Sequence, residues 1–540
     1  MTASGENGSK PINILWISLE DTSPRFGCYG DSLARTPNID QLAAEGCRFP
    51  NAFSTAGVCA PSRSAVITGM YAVSIGSHHM RTAHTHPATP ELPTPYEAVP
   101  PHFVKAFPEY LRAAGYYCTN NHKTDYQFEP PVTAWDECNP NAHWRHRRPG
   151  QPFFAVFNPT LTHESGMWPR DDETIETDPE SVSLPPYLPD TPVTRLALAR
   201  HYDHIARSDT IVGQLLDQLE EDGLAESTIV VLWSDHGEGL PRGKRWLYDA
   251  GIRIPMIIRW PGQLKAGSQR DQLVSLLDLG PTMLSVAGLS VPAHMQGRAF
   301  LGPQRRDPRR YVYATRDRFD EAYDMVRAVR NRRFKYICNF RPEQPYLLWI
   351  PYRNRHPIMQ EIWRLHGEDR LEGPQKLLLQ NRRPVEELYD TEADPFELNN
   401  LALNPSHRAE LEEMREVMKK WQRKVKDMGD LSEAEMVRRW WPGGTQPVTA
   451  TPVFIPIGPD RPGMETATDR LETRGPLHLQ LHCATQGGSI AWTTGTEEHS
   501  RWQLYTGPVR LESGTTTLRA VAHRIGFKPS AEAALEVTVS

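Results

Sequence analysis

The chain has 540 residues, a formal net charge of −6 and a charged fraction of 23%, with no long block of either sign. That length buries a large core and exceeds one ordinary domain, and the charge balance excludes a basic nucleic-acid binder or a polybasic membrane-surface protein. The 37 glycines and 48 prolines point to long ordered loops, and the seven cysteines (28, 47, 59, 118, 138, 338 and 483) show neither paired spacing nor a CxxC zinc pattern.

The opening MTASGENGSKPINILWISLED lacks a basic stretch followed by an apolar run and a small-residue cleavage site. No later run has transmembrane length, so the sequence reads as soluble and cytoplasmic. Ile12 to Leu19 is continuously apolar, as in a parallel strand covered on both faces, and stops abruptly at Glu20-Asp21. A helix capped by Asn38 runs to Gly46. Cys59-Ala60-Pro61-Ser62-Arg63 then opens a helix running through Met70. Proline suits its first turn, and a helix start favours an anion. Arg63 lies one turn beyond Cys59 on the same face.

Phe103 to Ala114 reads as a helix, and Tyr116 to Asn121 as a strand leading into His122-Lys123-Thr124-Asp125. Pro152 to Asn158 is a second buried strand, followed by a loop holding His163. Residues 165–192, acidic and proline-rich, read as a surface insertion. The amphipathic helix from Val193 to Glu221 places Asp203 and Asp209 at solvated positions. Thr228 to Trp233 is a third buried strand, ending in Ser234-Asp235-His236-Gly237, and Ile252 to Trp260 is a fourth. From Tyr311 the texture becomes antiparallel, with a helix from Pro405 to Lys426 capped by Asn404. Residues 477–540 alternate like a small β-sandwich. The expected organisation is a catalytic α/β domain over 1–305, an α+β subdomain over 306–441, a linker or extended wrap over 442–476 and the β module over 477–540.

Two buried strands thus end in adjacent ligand types, Glu20-Asp21 and Asp235-His236. Ligands of open α/β sheets bind at the carboxyl ends of strands, and this oxygen-rich set with one imidazole suits Ca²⁺ or Mg²⁺ more than zinc. Arg63, Lys123 and Lys244 gathered round such a cation would bind a tetrahedral oxyanion, with His163 as general acid to the leaving group.

On these residues the chain resembles a type I sulfatase of the alkaline phosphatase-like superfamily. Cys59-Ala60-Pro61-Ser62-Arg63 with Thr68-Gly69 matches that family's C-x-P-S-R-x4-T-G signature, and INILWISLED, TPNIDQLAAEGCRFPNAFSTAG, SDHGE and GIRIPMIIRWPG are similar in order over roughly residues 10–430. The resemblance implies an α/β fold with a large, mostly parallel sheet between helices and a smaller antiparallel subdomain, to which the C-terminal β-sandwich, similar to modules appended to some carbohydrate-active enzymes, is added. It implies oxidation of Cys59 to formylglycine by a maturation enzyme, with the aldehyde hydrate as nucleophile on a sulfate monoester, aryl or sugar. Glu20, Asp21, Asp235, His236 and the residue derived from Cys59 take the metal positions, and Arg63, Lys123 and Lys244 the sulfate-binding ones. The chain departs from the family at Glu20, where aspartate is usual, and at Asp125, where a catalytic histidine is usual. Asp125 is in register to serve as base, with His122 as the alternative. TRDRFDEAYDMVRAVRNRRFKYICNF is similar to the sulfamidase-like and bacterial arylsulfatase branch, which places Arg318, Asp320 and Glu321, with His79, in the substrate pocket. A phosphonate or phosphate ester hydrolase is the rival reading, favoured if Arg242 or Arg245 adds charge to the pocket; a catalytically silent binding protein is the other. The appended β module makes a homo-oligomer an expectation.

Overall fold

The structure is a computed structural model and describes residues 11–170, 173–458, 461–464, 469–495 and 501–540. Its centre is an eight-stranded sheet. The elements that build it and pack on it are β1 (Asn13–Leu19), α1 (Pro37–Glu45), β2 (Cys47–Arg48), α2 (Cys59–Thr68), β3 (Tyr117–Asn121), β4 (Glu137–Cys138), β5 (Phe153–Phe157), α3 (Pro192–Glu221), β6 (Thr228–Ser234), β7 (Met256–Arg259) and β8 (Ser268–Gln269). The strand order is β8-β2-β7-β6-β1-β5-β3-β4. β6, β1, β5, β3 and β4 run parallel, and β7 pairs antiparallel to both β6 and β2.

The apolar runs are continuous because both faces of the sheet are covered. Alternate residues Ile14, Trp16, Phe154, Val156, Val231 and Trp233 pack with Val66 and Ile67 of α2. The intervening Leu15, Ile17, Phe153, Ala155, Val230 and Leu232 pack with Ile39 and Leu42 of α1 and with Ile205, Val212 and Leu219 of α3. Side chains of a strand alternate between faces, so a strand between two helical layers must be apolar throughout.

A second sheet of four antiparallel strands follows: β9 (Val312–Arg316), β10 (Val326–Arg330), β11 (Phe334–Asn339) and β12 (Glu386–Asp390). Helix α4 (Arg408–Val425) lays Leu411, Met414 and Met418 against it, and α5 (Glu433–Trp440) closes this part. The C-terminal region is a pair of sheets of four and five strands. In Leu477–His482 the leucines face inward while His478, Gln480 and His482 are exposed. Among the described residues no helix is long and apolar enough to cross a membrane.

Several elements differ from expectation. The helix expected over 103–114 is confined to Pro108–Ala113, because Pro108 lacks the N–H a helix interior needs and occupies the first turn instead. Pro37, not Asn38, opens α1, with Thr36 at the cap position. The strand expected over 252–260 is split at Pro255. The expected linker over 442–476 instead contributes Val453–Gly458 and Arg470–Thr473 to the two C-terminal sheets. The expected surface insertion 165–192 is partly internal, since Met167, Val182, Tyr187 and Leu188 are buried. Asp203 and Asp209 are buried rather than solvated. Asp203 accepts the Glu176 and Thr177 N–H groups at 2.7 and 3.0 Å, which fastens that insertion to α3. Asp209 accepts the Asn38 and Ile39 N–H groups at 3.2 and 2.8 Å, so a carboxylate of α3 caps the start of α1.

Candidate active site

The register levels the ends of four neighbouring parallel strands. Leu19 of β1 lies opposite Ser234 of β6, Ile17 opposite Phe157 of β5, and Asn121 of β3 also opposite Phe157. The next residues along each strand therefore share one rim: Glu20-Asp21, Asp235-His236, Asn158 and, just beyond β3, Lys123 and Asp125. α2 points its first residue, Cys59, at that rim. Gly69 ends α2 in a left-handed conformation (φ 67°), and Ser62 ties the first turn to β6 by donating to the Asp235 carbonyl at 2.6 Å. The signature is thus a short helix with a fixed start, a fixed end and a bolt to the neighbouring strand.

One side of the rim is a cradle of ligand atoms. Cys59 Sγ lies 3.5 Å from His236 Nε2 and 3.9 Å from Glu20 Oε1. Glu20, Asp21, Cys59 and His163 form one group, and Asp21, Cys59, Asp235 and His236 another, each with donor atoms within 4.8 Å of one another. His236 Nδ1 faces the Gly237 carbonyl at 2.9 Å, which orients the ring so that Nε2 points into the cradle. Nε2 lies 2.9 Å from Asp21 Oδ1, both side chains being fully buried. Carboxylate oxygens and an imidazole nitrogen converging within 4.8 Å in a dry site are a donor set that fits a divalent ion. Burial opposes the Asp21 charge, but Lys244, His236 and His163 outweigh it and hold the carboxyl well below the usual range. Asp235 is brought down to about 2 against the same burial, chiefly by His236, Arg63 and Lys123. The Cys59 thiol is pushed well up by burial, and by Asp235, Asp21 and Asp125 against the pull of Lys244.

The other side is cationic. Arg63 donates from Nε to Asp235 at 3.1 Å and from Nη1 to Asn158 Oδ1 at 2.9 Å, while its buried Nη2 has no partner among the described residues. Lys244 Nζ sits 2.7 Å from Asp21 and 3.3 Å from Glu164. Lys123 contacts Glu20 and lies 3.9 Å from Asp125. A buried guanidinium nitrogen left open beside two lysines is an anion site in waiting. His163 accepts the Ser165 N–H at Nδ1 (3.3 Å), so its neutral ring carries a proton on Nε2; burial and Lys244 lower its pKa to about 4.

A cavity of about 330 Å³ adjoins this cluster, lined by Arg81, His86, Arg318, Asp320, Glu321 and Tyr352 among others. Of the expected pocket residues, Asp320 and Glu321 therefore border it. Arg318 does too, but its guanidinium is spent on Glu433 at 2.6 and 2.7 Å, so it braces the wall. His79 is not among the residues lining the cavity: it is buried, with Nδ1 accepting the Arg318 N–H and its ring 4.2 Å from that of His78. Arg242 and Arg245 do not supply free charge. Arg242 donates to the Phe396 and Glu397 carbonyls, and Arg245 forks Glu164 at 2.8 Å and holds Asp320 at 2.9 Å. Sequence reasoning missed Asn158, Glu164 and Arg81. Asn158 carried a signal, being a polar residue at the end of a buried strand like Glu20, whereas the other two had none.

The sulfatase family model matches residues 12–135 and 139–289, and the model for the C-terminal part of N-sulphoglucosamine sulphohydrolase matches 237–358. The chain is 44% identical to an ulvan-active sulfatase of Formosa agariphila, over 96% of this chain and 90% of that one. This chain belongs to the sulfatase family. The sulfatase is also 28% identical to human N-sulphoglucosamine sulphohydrolase over 78% of its own length and 91% of the relative's. It shares its fold with a protein solved in complex with its substrate D-glucosamine-2-N,6-O-disulfate (TM-score 0.56, 19% identity, covering 78% of this chain and 100% of that one). The sulfatase is a sulfuric ester hydrolase, and the rim of the central sheet holds the residues of its family signature.

Proposed function

We propose that the chain hydrolyses sulfate monoesters of sugars, using formylglycine made from Cys59 by a maturation enzyme and one divalent cation, Ca²⁺ before Mg²⁺ or Mn²⁺, held by Glu20, Asp21, Asp235 and His236. The observation that carries this is the convergence on Cys59 of a ligand cradle on one side and the open Arg63 Nη2 on the other. When present, the cation and the aldehyde hydrate supply an ionised oxygen nucleophile near neutral pH. The chain's own residues do the rest. Arg63, Lys123 and Lys244 hold the sulfate oxygens and offset the charge that gathers on them. His163, neutral near pH 7, donates a hydrogen bond from Nε2 to the departing oxygen and becomes a general acid only when protonated in acid. Asp125 lies close enough for its charge to act on Cys59, whereas His122 is exposed, which favours Asp125 as proton acceptor.

The likeness to an ulvan-active sulfatase over nearly the whole chain supports a sulfated sugar of that kind as substrate. A phosphate or phosphonate ester carries more charge than a sulfate ester, and the commitment of Arg242 and Arg245 elsewhere favours sulfate.

The test is mass spectrometry of the Cys59 peptide from protein made with a maturation enzyme, together with turnover of sulfate, phosphate and phosphonate esters, ulvan fragments included. The expected result is an aldehyde at position 59 and release of sulfate, abolished by Cys59→Ala in a protein that still folds. An unmodified thiol in an active enzyme, or wild-type turnover by Cys59→Ala, overturns the mechanism.

A further inference from the structure

Every sulfate ester presents the same sulfate, so discrimination falls to whatever meets the alcohol. The 330 Å³ cavity is placed to do so, being joined to the catalytic cluster at two points. Tyr352 packs its ring 6.1 Å from that of His163. Asp320, on the same wall as Arg81, is held at 2.9 Å by Arg245, which also grips Glu164 beside Lys244.

The charges lining the cavity are not balanced. Arg318 is committed to Glu433, and Asp320 to Arg245. Glu321 is pushed towards its neutral form by burial and by Asp320, and its buried Oε2 has no partner among the described residues. A carboxyl in that condition suits a sugar hydroxyl better than a cation. Arg81 differs from all of these. Its nearest carboxylate is 3.7 Å away, beyond hydrogen-bond distance, and its side chain is 41% exposed. Its backbone is left-handed (φ 61°), a conformation L residues rarely adopt, and it places Arg81 on the cavity wall. At the rim, the exposed Trp349 packs edge-on to His86 with ring centroids 5.5 Å apart, a flat apolar surface beside the polar wall.

We propose that this cavity is the subsite for the departing sugar and that Arg81 recognises an anionic group on it, either a carboxylate or a second sulfate. This rests on the sulfate-ester reading above. A guanidinium matches the paired oxygens of either group, while Glu321 and Tyr352 meet the hydroxyls. The sugar carrying the scissile sulfate is thus itself acidic, and Arg81 is a specificity residue for the reaction rather than part of the sulfate cage.

The test uses three sugar sulfates with the scissile group on the same carbon: a neutral hexose sulfate, the matching hexuronate sulfate and a disulfated hexose. Wild type, Arg81→Gln and Arg81→Lys are compared by kcat/KM on each. Wild type should favour at least one acidic substrate over the neutral one. Arg81→Gln should cut that preference by about tenfold or more, mostly in KM, with Arg81→Lys between, as expected for loss of a hydrogen bond to a charged group. Preference for the hexuronate alone identifies a carboxylate, and for the disulfated sugar alone a second sulfate; either supports the proposal. A wild type that favours the neutral substrate, or a ratio unchanged in Arg81→Gln, overturns it while leaving the sulfatase reading intact. Failure of wild type to cleave any sulfate ester overturns both.

Discussion

Arg245→Met tests how the buried charges around the site depend on one another. Arg245 and Glu164 are each 3% exposed and joined by two parallel contacts of 2.8 Å, and the same guanidinium holds Asp320 at 2.9 Å. Methionine keeps much of the volume but strands two carboxylates. Lys244, 3.3 Å from Glu164, compensates only in part, because it already neutralises Asp21 at 2.7 Å. Breaking a buried pair by removing one partner costs about 3–5 kcal/mol, and the unfolding midpoint in urea should fall accordingly near pH 7. The pH dependence gives the sign. In the wild type, burial raises the Glu164 pKa, but Arg245 and Lys244 more than reverse this and hold it far below the usual range. Its contribution is therefore complete above the unfolded value of about 4.3 and is lost only as pH falls through the much lower folded value. In the variant burial prevails and the folded value rises above the unfolded one, so this contribution falls as pH climbs past roughly 4. The deficit against wild type should thus widen from about pH 4 to pH 7, and Glu164→Gln should recover part of it. A loss below about 1 kcal/mol, or a deficit that does not depend on pH, refutes the view of Arg245 as counter-ion to a dry carboxylate pair.

Asp209→Ala removes the acceptor for two N–H groups at the start of α1 and should cost roughly 1–3 kcal/mol in chemical denaturation, with Asp209→Asn retaining part of the loss; a neutral effect would return Asp209 to the solvated position its helical spacing indicates. Ca²⁺ added to chelator-treated protein should raise the unfolding transition by about 2.7 kcal/mol at a hundredfold excess over its dissociation constant, and Asp235→Asn should remove that response. No response to Ca²⁺, Mg²⁺ or Mn²⁺ would sink the cradle as a cation site.

The strands and the signature helix were legible because their physical demands are local. A strand covered on both faces must be apolar throughout, and a polar pair directly after it has only the rim to occupy, which is how Glu20-Asp21 and Asp235-His236 declare themselves. Burial of charge was not legible. Asp203 and Asp209 fall on a helix at positions that look solvated, and only the chain returning from residues 36–39 and 176–177 covers them. Arg245 reads as a spare cation until Glu164 and Asp320, remote in sequence, close around it. Arg81 lies in a loop without periodicity, and nothing local marks a residue whose backbone turns left-handed. The expected linker failed for the opposite reason: Pro and Gly set the turns between short strands there and disguise their alternation.

The C-terminal sandwich reaches into the body that carries the chemistry. Ile525 is buried in the same apolar cluster as Ile14 and Trp16. Lys105 donates to the Gly487 carbonyl at 2.6 Å, and Arg112 to that of Trp502 at 2.6 Å. At Gly487 and Gly526 a side chain would collide with the backbone of His102 and Ala98, at 2.1 and 2.4 Å. The stretch so gripped, residues 98–112, is the continuation of the loop that carries Arg81, His86 and Leu92 along the cavity. The module is thus a splint that grips, through residues 98–112, the stretch leading on from the cavity wall. A change in the module's packing can therefore shift the cavity wall through residues 98–112 without touching a residue of the rim.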